Sequence, residues 1–298
     1  MVARRSDEPL FVALTADVDP DANCAVPGRV DAVSAGRTDG VSLEACFEGL
    51  AIVLDVLHAQ RLPATFFHEA RTLEELAARR PDLLSRLKAS DSFEHACHGW
   101  RHEDFAGKVS GLPLSLAETS DIIARAGNAF AEVFGRAPRG FRAPYCRLTP
   151  ALVAALQELG YAYDASLIRT ASPEWRLRPY RLPGAPAVYE LALSRSHDAR
   201  GRPITSYLWQ LFEGNRPVDD YVQLVASLGR QHAGGLLQIG IHPWHLVVSE
   251  DGWPASPNGQ DAPALLLRQF LERAGRVEGV AFTTCAAYLG LATGGAAP

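Results

Sequence analysis

Residues 10–19 read LFVALTADVD, a β-rich apolar run that closes on two aspartates, Asp17 and Asp19. The kind of sheet this strand joins is decided by the next elements of the chain. Residues 42–60 (SLEACFEGLAIVLDVLHAQ) place Leu43, Cys46, Phe47, Leu50, Leu54 and Leu57 at three- and four-residue steps, the stripe of an amphipathic helix. LPATFFHEA (62–70) reads as the next strand. Further on, SLAETSDIIARAGNAFAEVFG (115–135) opens with Ser115 and Glu118 at capping-box spacing and stops on Gly135. TPALVAALQELG (149–160) has Thr149 as cap, Pro150 at the first helical position and Gly160 as stop.

Strands are expected at 140–144, 161–167, 188–193, 236–243 and 279–284, and helices over 218–231 and 262–275. Strands separated by helical patterns of ten to fifteen residues make βαβ units and a parallel sheet. Seven or eight such strands favour a closed barrel over an open sheet. The whole of 1–298 reads as one domain, with long loops at about 20–40 and 194–217.

Composition narrows the function classes. The net charge is −5 with no basic run, which excludes a nucleic-acid partner. No window approaches eighteen uninterrupted apolar residues, so no transmembrane segment is expected. The apolar stretch near the amino terminus runs into aspartates too soon for a signal peptide and reads as a strand. The five cysteines are scattered and contain no CxxC, so they read as reduced thiols of a cytoplasmic protein.

The ionisable residues fall at strand ends. Asp17 and Asp19 close the first strand; His98 and His102 follow SFEHAC; Arg142 ends GFRA; His242 closes LLQIGIH. In a parallel barrel all strand carboxyl ends share one face, and that face carries the active site. Alternate residues of a strand point the same way, so Asp17 and Asp19 lie roughly 6.5–7 Å apart on one side. Two like charges in a sheltered pocket need something positive beside them. Two imidazoles and one carboxylate are a natural ligand set for a borderline divalent metal, with positions left for water and substrate. Histidines four apart on a helical turn would share a face and grip one ion. His95, three before His98, reads as structural; Glu103 and Asp104 read as solvated surface. A glycosidase built on Asp17 and Asp19 is rejected, because such carboxylates flank the bond from two sides.

At this point the sequence resembles the polysaccharide deacetylases, carbohydrate esterase family four, also called the nodulation-protein-B homology superfamily. That family's D-x-D, H-x-x-x-H, R-x-P-[YFW] and hydrophobic-x-x-H-P motifs appear in order as TADVD (15–19), HGWRH (98–102), RAPY (142–145) and IGIHP (239–243). The resemblance implies a deformed (β/α)7-type barrel and metal-dependent removal of an acyl group. It implies that Asp19, His98 and His102 hold the metal, that Asp17 is the general base held by Arg142, and that His242 is the general acid. The backbone N–H of Tyr145 would be an oxyanion donor. Zinc is the default ion for the set; cobalt, nickel, iron or manganese also fit.

Some features depart from the family or leave the substrate undefined. Many deacetylases carry a further Asp-Trp that tunes the acid histidine, whereas this chain offers only Glu174-Trp175 or, differently placed, Asp164. Trp100 and Trp244 sit beside motif histidines and could stack on a sugar ring or pack in the core. Leu237 and Ile239 are either core or the wall of an acyl pocket. The expected partner is a small molecule or glycan bearing an acylated amine: an N-acetyl or N-formyl amino sugar first, a cyclic amide or ureide second. A catalytically inactive carbohydrate-binding barrel is the reading from another class.

Overall fold

The structure is a computed structural model and describes residues 8–20, 41–108, 110–212, 216–247 and 263–295. The expected loop at 20–40 therefore lies almost wholly outside the described residues. The first half alternates regularly. Strand β1 (Leu10–Val18) leads to helix α1 (Val41–Gln60), β2 (Ala64–His68) to α2 (Ala70–Arg79) and α3 (Pro81–Lys88), and β3 (Phe93–Cys97) to α4 (Leu116–Phe134). Short β4 (Gly140–Phe141), α5 (Pro150–Glu158) and short β5 (Tyr163–Asp164) come after them.

A set of short strands comes next: β6 (Ile168–Thr170), β7 (Tyr180–Leu182), β8 (Ala185–Glu190), β9 (Leu193–His197) and β10 (Pro203–Thr205). The chain closes with α6 (Trp209–Phe212), α7 (Val218–Gln231), β11 (Leu236–Ile241), α8 (Pro263–Gly275), β12 (Val280–Phe282) and α9 (Cys285–Thr293).

The helix ends are where the local chemistry demands them. The Ser115 hydroxyl accepts the Glu118 N–H at 3.3 Å and the Glu118 carboxylate accepts the Ser115 N–H at 2.9 Å, a reciprocal capping box. The Thr149 hydroxyl accepts the Leu152 N–H at 3.1 Å, with Pro150 beginning the helix.

The main sheet runs β11-β1-β2-β3-β4-β5-β8-β7, with β12 also on β1. Every pairing in it is parallel except β7 on β8. The result is a curled, parallel α/β sheet, the deformed barrel of the expectation, but among the described residues it does not close strand to strand. Antiparallel β7 takes the outer edge of β8, so that edge is not available to β11. A short segment spans the gap instead: Gly240 N–H donates to Ser206 O at 2.9 Å and Leu208 N–H to Gly240 O at 2.8 Å. Over its described residues, the expected loop at 194–217 carries β9, β10 and α6.

Both faces of these strands are buried, as continuous apolar runs in a parallel sheet require. On β1, Leu10, Val12, Leu14, Ala16 and Val18 pack outward against the helices together with Leu237, Ile239 and Ile241 of β11. The other parity faces the interior. Ala13 packs there with Phe67, Ala96 and Tyr163, and Thr15, Asp17 and then Asp19 continue the row towards the carboxyl ends. Leu237 and Ile239 are therefore core and do not line a pocket: a period of two sends their neighbours Gln238 and Gly240 inward.

Candidate active site

The row on β1 ends in a cleft of about 220 Å³ lined by Asp17, Asp19, His98, His102, Tyr145, Cys146, Tyr207, His242 and Trp244, with Pro20 and Ala143 at its sides. Of the residues singled out from sequence, the structure brings together both aspartates, both motif histidines, Tyr145, His242 and Trp244. Arg142 lies directly beneath them.

Arg142 is fully buried. Its Nη1 donates to Asp17 Oδ1 at 2.7 Å and to Thr15 Oγ1 at 3.0 Å, its Nη2 to Gln238 Oε1 at 2.8 Å, and its Nε to Ala165 O at 3.0 Å. The guanidinium also stacks 4.2 Å over the Phe67 ring. Burial works against the cation, but the Asp17 charge outweighs it and holds the proton on more firmly than usual. For Asp17 the balance is the mirror image. Burial would raise the carboxyl, yet Arg142, with His98 and His242 nearby, more than reverses that, and Asp17 sits below its ordinary range. Asp17 is a buried carboxylate held in its ionised form.

The His98–His102 segment is a loop after β3 and not the helical turn that the spacing suggested. Gly99 takes φ +85°, where a side chain would be strained and its Cβ would lie 2.8 Å from Glu103 Oε2. Glu103 shapes the loop from within: Oε2 accepts the Trp100 N–H at 3.1 Å and Oε1 the Arg101 N–H at 2.7 Å. Asp104 accepts the Ser110 N–H at 2.9 Å. Both acids are buried, which corrects the reading of them as solvated surface. The loop's outward carbonyls also cap α2, Gly99 O accepting the Ala70 N–H at 2.9 Å and Trp100 O the Arg71 N–H at 3.0 Å. His102 reaches the cleft with a left-handed backbone, φ +56°.

Asp19, His98 and His102 are all buried, and one potential ligand atom of each lies within 4.8 Å of the others. His98 Nδ1 is 2.8 Å from Arg142 O, so a proton on Nδ1 leaves Nε2 as the lone-pair donor. That Nε2 is buried with no hydrogen-bond partner, 3.4 Å from Asp19 Oδ2. Burial depresses the His98 pKa and keeps the ring neutral. A neutral imidazole with its free nitrogen facing a carboxylate and a second imidazole fits a divalent cation, and by donor type fits zinc.

Tyr145 sits in a tight turn over Pro144–Cys146, with left-handed φ at Tyr145 (+59°) and Cys146 (+53°). The turn is anchored from behind. Ser166 Oγ accepts the Ala143 N–H at 2.7 Å and donates to Asp164 Oδ1 at 2.7 Å. Asp164 is thus committed to Ser166 and to Glu190, whose carboxyl burial and the Asp164 charge push far up, so that it holds a proton. Glu174 is exposed on the surface. Neither acid partners His242, so neither replaces the absent Asp-Trp.

Two residues that contact Asp17, Arg142 and His242 were not legible in the sequence. Tyr207 donates its hydroxyl proton to Asp17 Oδ2 at 2.9 Å, and the same oxygen lies 3.1 Å from His242 Nδ1. It comes from the segment read as loop, where no periodicity marks it. Gln238, inward on β11, holds Arg142. His242 stacks on Trp244 with ring centroids 5.2 Å apart, and burial brings its pKa down to about 4. Trp100 is placed elsewhere. It packs outside the cleft with Phe105 and Ile123 and has the Arg125 guanidinium 3.8 Å over its ring, because the loop turns it away from the histidines on either side.

A curled parallel barrel with a buried carboxylate, a metal-type donor set and a histidine around one cleft defines a hydrolase-like site. The family model of polysaccharide deacetylase matches residues 48–163, so the chain resembles that family in this segment as it does in its motifs. His98, His102, Arg142 and Tyr145 fall inside the match, and Asp17, Asp19 and His242 outside it. No curated protein matches the chain in sequence. Among solved structures it is similar to a putative polysaccharide deacetylase from Mycobacterium smegmatis (TM-score 0.68, 21% identity, 98% of this chain and 93% of that one). It is also similar to Puue allantoinase (0.65, 18%, 95% and 90%). A carbohydrate-esterase-family-four pseudoenzyme from Bacillus anthracis is more distant (0.51, 14%, 94% and 66%). At these identities the likeness is one of fold. Among the described residues no helix is long and apolar enough to cross a membrane.

Proposed function

We propose that this chain is a metal-dependent hydrolase that removes an acetyl or formyl group from the nitrogen of an amino sugar or a related small molecule. One observation carries the reading: a buried, ionised Asp17 clamped by Arg142 stands in one cleft with the Asp19–His98–His102 donor set and His242. A binding module has no need of a sequestered carboxylate and a histidine poised on either side of a cation site.

In this reading Asp19, His98 and His102 hold the ion. A zinc ion so held would acidify water and polarise the acyl carbonyl. Asp17 accepts the proton of the attacking water, and Arg142 keeps it charged until then. The proton taken by Asp17 is handed on through His242, which is neutral at rest, to the departing nitrogen as the C–N bond breaks, so the products are a carboxylic acid and an amine. The Tyr145 N–H, fixed by its left-handed turn, is the donor assigned to the developing oxyanion; such a donor contributes about 3 kcal/mol. Trp244, stacked on His242, is the assigned contact for a sugar face. The four described cysteines are free thiols, which supports a cytoplasmic setting.

The test is acetate or formate release from a panel of N-acylated amino sugars by zinc-loaded protein, with a cyclic ureide in parallel. Acid release that EDTA abolishes is the expected result. Ring opening of the ureide without acid release would move the chain to cyclic-amide hydrolysis. Saturable sugar binding with neither reaction would make it a binding barrel.

A further inference from the structure

We propose that Tyr207 is a positioning residue that ties the base to the acid. The inference rests on the hydrolase reading above. Asp17 has two oxygens and each has its own donor: Arg142 Nη1 on Oδ1 at 2.7 Å and the Tyr207 hydroxyl on Oδ2 at 2.9 Å. One donor leaves a carboxyl free to rotate about its bond to the chain; two donors on different oxygens fix its plane. The same phenol oxygen sits 3.1 Å from His242 Nδ1 and 3.3 Å from Nε2, with the two ring centroids 5.2 Å apart. Its proton goes to the Asp17 carboxylate, and the oxygen, nearly equidistant from the two ring nitrogens, rests against the imidazole without lying on either N–H axis. An imidazole in contact with a phenol that is itself anchored on the base is held in one orientation beside it.

The rest of the molecule holds Tyr207 for this task. Its backbone forms a parallel bridge with Gly240, and Tyr221 donates its hydroxyl to Tyr207 O at 3.1 Å. Gly240 leaves room for the ring: a Cβ there would come within 2.4 Å of Tyr207 Cδ2. The strands before it are tied down by ions, Arg216 Nη1 lying 2.5 Å from Asp198 and 3.1 Å from Asp220. A phenol steadied on so many sides, yet lining the cleft, is placed to set the orientation of its neighbours and not merely to fill space.

Tyr207→Phe keeps the ring over Gly240 and removes only the hydroxyl. In ¹⁵N-labelled, zinc-loaded protein the expected result is unchanged zinc content, displaced His242 ring-nitrogen resonances, and unmoved His98 and His102 resonances. On whichever acylated sugar the wild type hydrolyses, kcat should fall by about 10- to 100-fold with KM roughly constant. Unmoved His242 resonances, or an unchanged kcat, would overturn the assignment. If no panel member is hydrolysed, the hydrolase reading fails, and the resonances alone decide whether Tyr207 positions His242. Should Tyr207→Phe not fold, 3-fluorotyrosine at 207 keeps the hydroxyl. Its ¹⁹F signal should then move in both the Asp17→Asn and His242→Ala backgrounds, and silence in either refutes the bridge.

Discussion

Two histidine pairs lie on opposite faces of the same strands. His98 and His102 reach the cleft with ring centroids 5.3 Å apart. His68 and His95, on the helix-packed side, share a hydrogen bond, Nε2 to Nδ1 at 3.0 Å, and the outer nitrogen of His95 meets Leu87 O at 3.3 Å. Phe66, Phe130 and Phe134 surround that pair. Burial lowers the pKa on both faces, taking His95 down to about 4 and keeping His68 and His98 neutral. The difference is in the nitrogens. In the core pair the facing nitrogens satisfy each other and His68 Nδ1 is left without a partner, whereas the unbonded Nε2 of His98 lies 3.4 Å from the Asp19 carboxylate. His95 and His98 stand three apart, so the strand's alternation sends one to the core and the other to the cleft. Composition cannot tell a ligand histidine from a packing one; parity and the carboxylate that the free nitrogen faces can.

The contrast between the faces can be attacked directly. The largest effect is expected on the cleft side of β1. Asp17→Asn should keep its zinc while turnover falls by about 10²- to 10⁴-fold, and its melting temperature should drop because the buried Arg142 cation loses its counter-charge. Parallel metal analysis and kinetics check this, and loss of zinc there would exchange the roles of Asp17 and Asp19. Next, His98→Ala, His102→Ala and Asp19→Asn should each fail to retain a full equivalent of zinc after desalting, with Asp19→Asn activity partly returning at high metal concentration.

On the packed face the signature inverts. His95→Ala should retain its zinc but lose about 3 kcal/mol of stability, from a cavity and from a buried His68 nitrogen stripped of its partner. Chemical denaturation of the metal-free protein measures it.

The smallest effect is one of pH. The unfolded chain takes up a proton on His95 near its ordinary pKa of about 6.5, whereas the folded protein does so only near 4. Between these values the unfolded state binds more protons, so stability is full above about pH 6.5 and declines as the pH falls towards 4. His95→Phe should flatten the dependence by about 2 kcal/mol between pH 7 and 5, read as the change in urea midpoint. An unaltered slope would assign the titration to other groups.

How much of this was readable beforehand divides along the same line. Asp17, Asp19, His98, Arg142 and His242 were legible because each stands at or just beyond the end of a strand, and the topology of a parallel barrel does the rest. Trp100 misled because neighbours in sequence are not neighbours in space across a loop bent at Gly99. Leu237 and Ile239 were ambiguous only until a parity was assigned to β11. Glu103 looked like surface because a charge usually is; its burial comes from two N–H groups that only the folded loop presents. Tyr207 could not be seen, since its partners lie 190 and 35 residues away and nothing local marks it.

Arg142 has a kinetic consequence. Its acceptors lie 127, 125 and 96 residues away in sequence, on the first and last long strands of the sheet, with a further one 23 residues on. Until both ends of the chain have docked, a guanidinium at this depth has little to neutralise it, and burying it is opposed by its hydration. A partly folded chain therefore keeps this mouth of the barrel wet and the cation outside. Assembly of the cleft thus requires long-range closure of the chain, and the local βα units that frame it do not suffice.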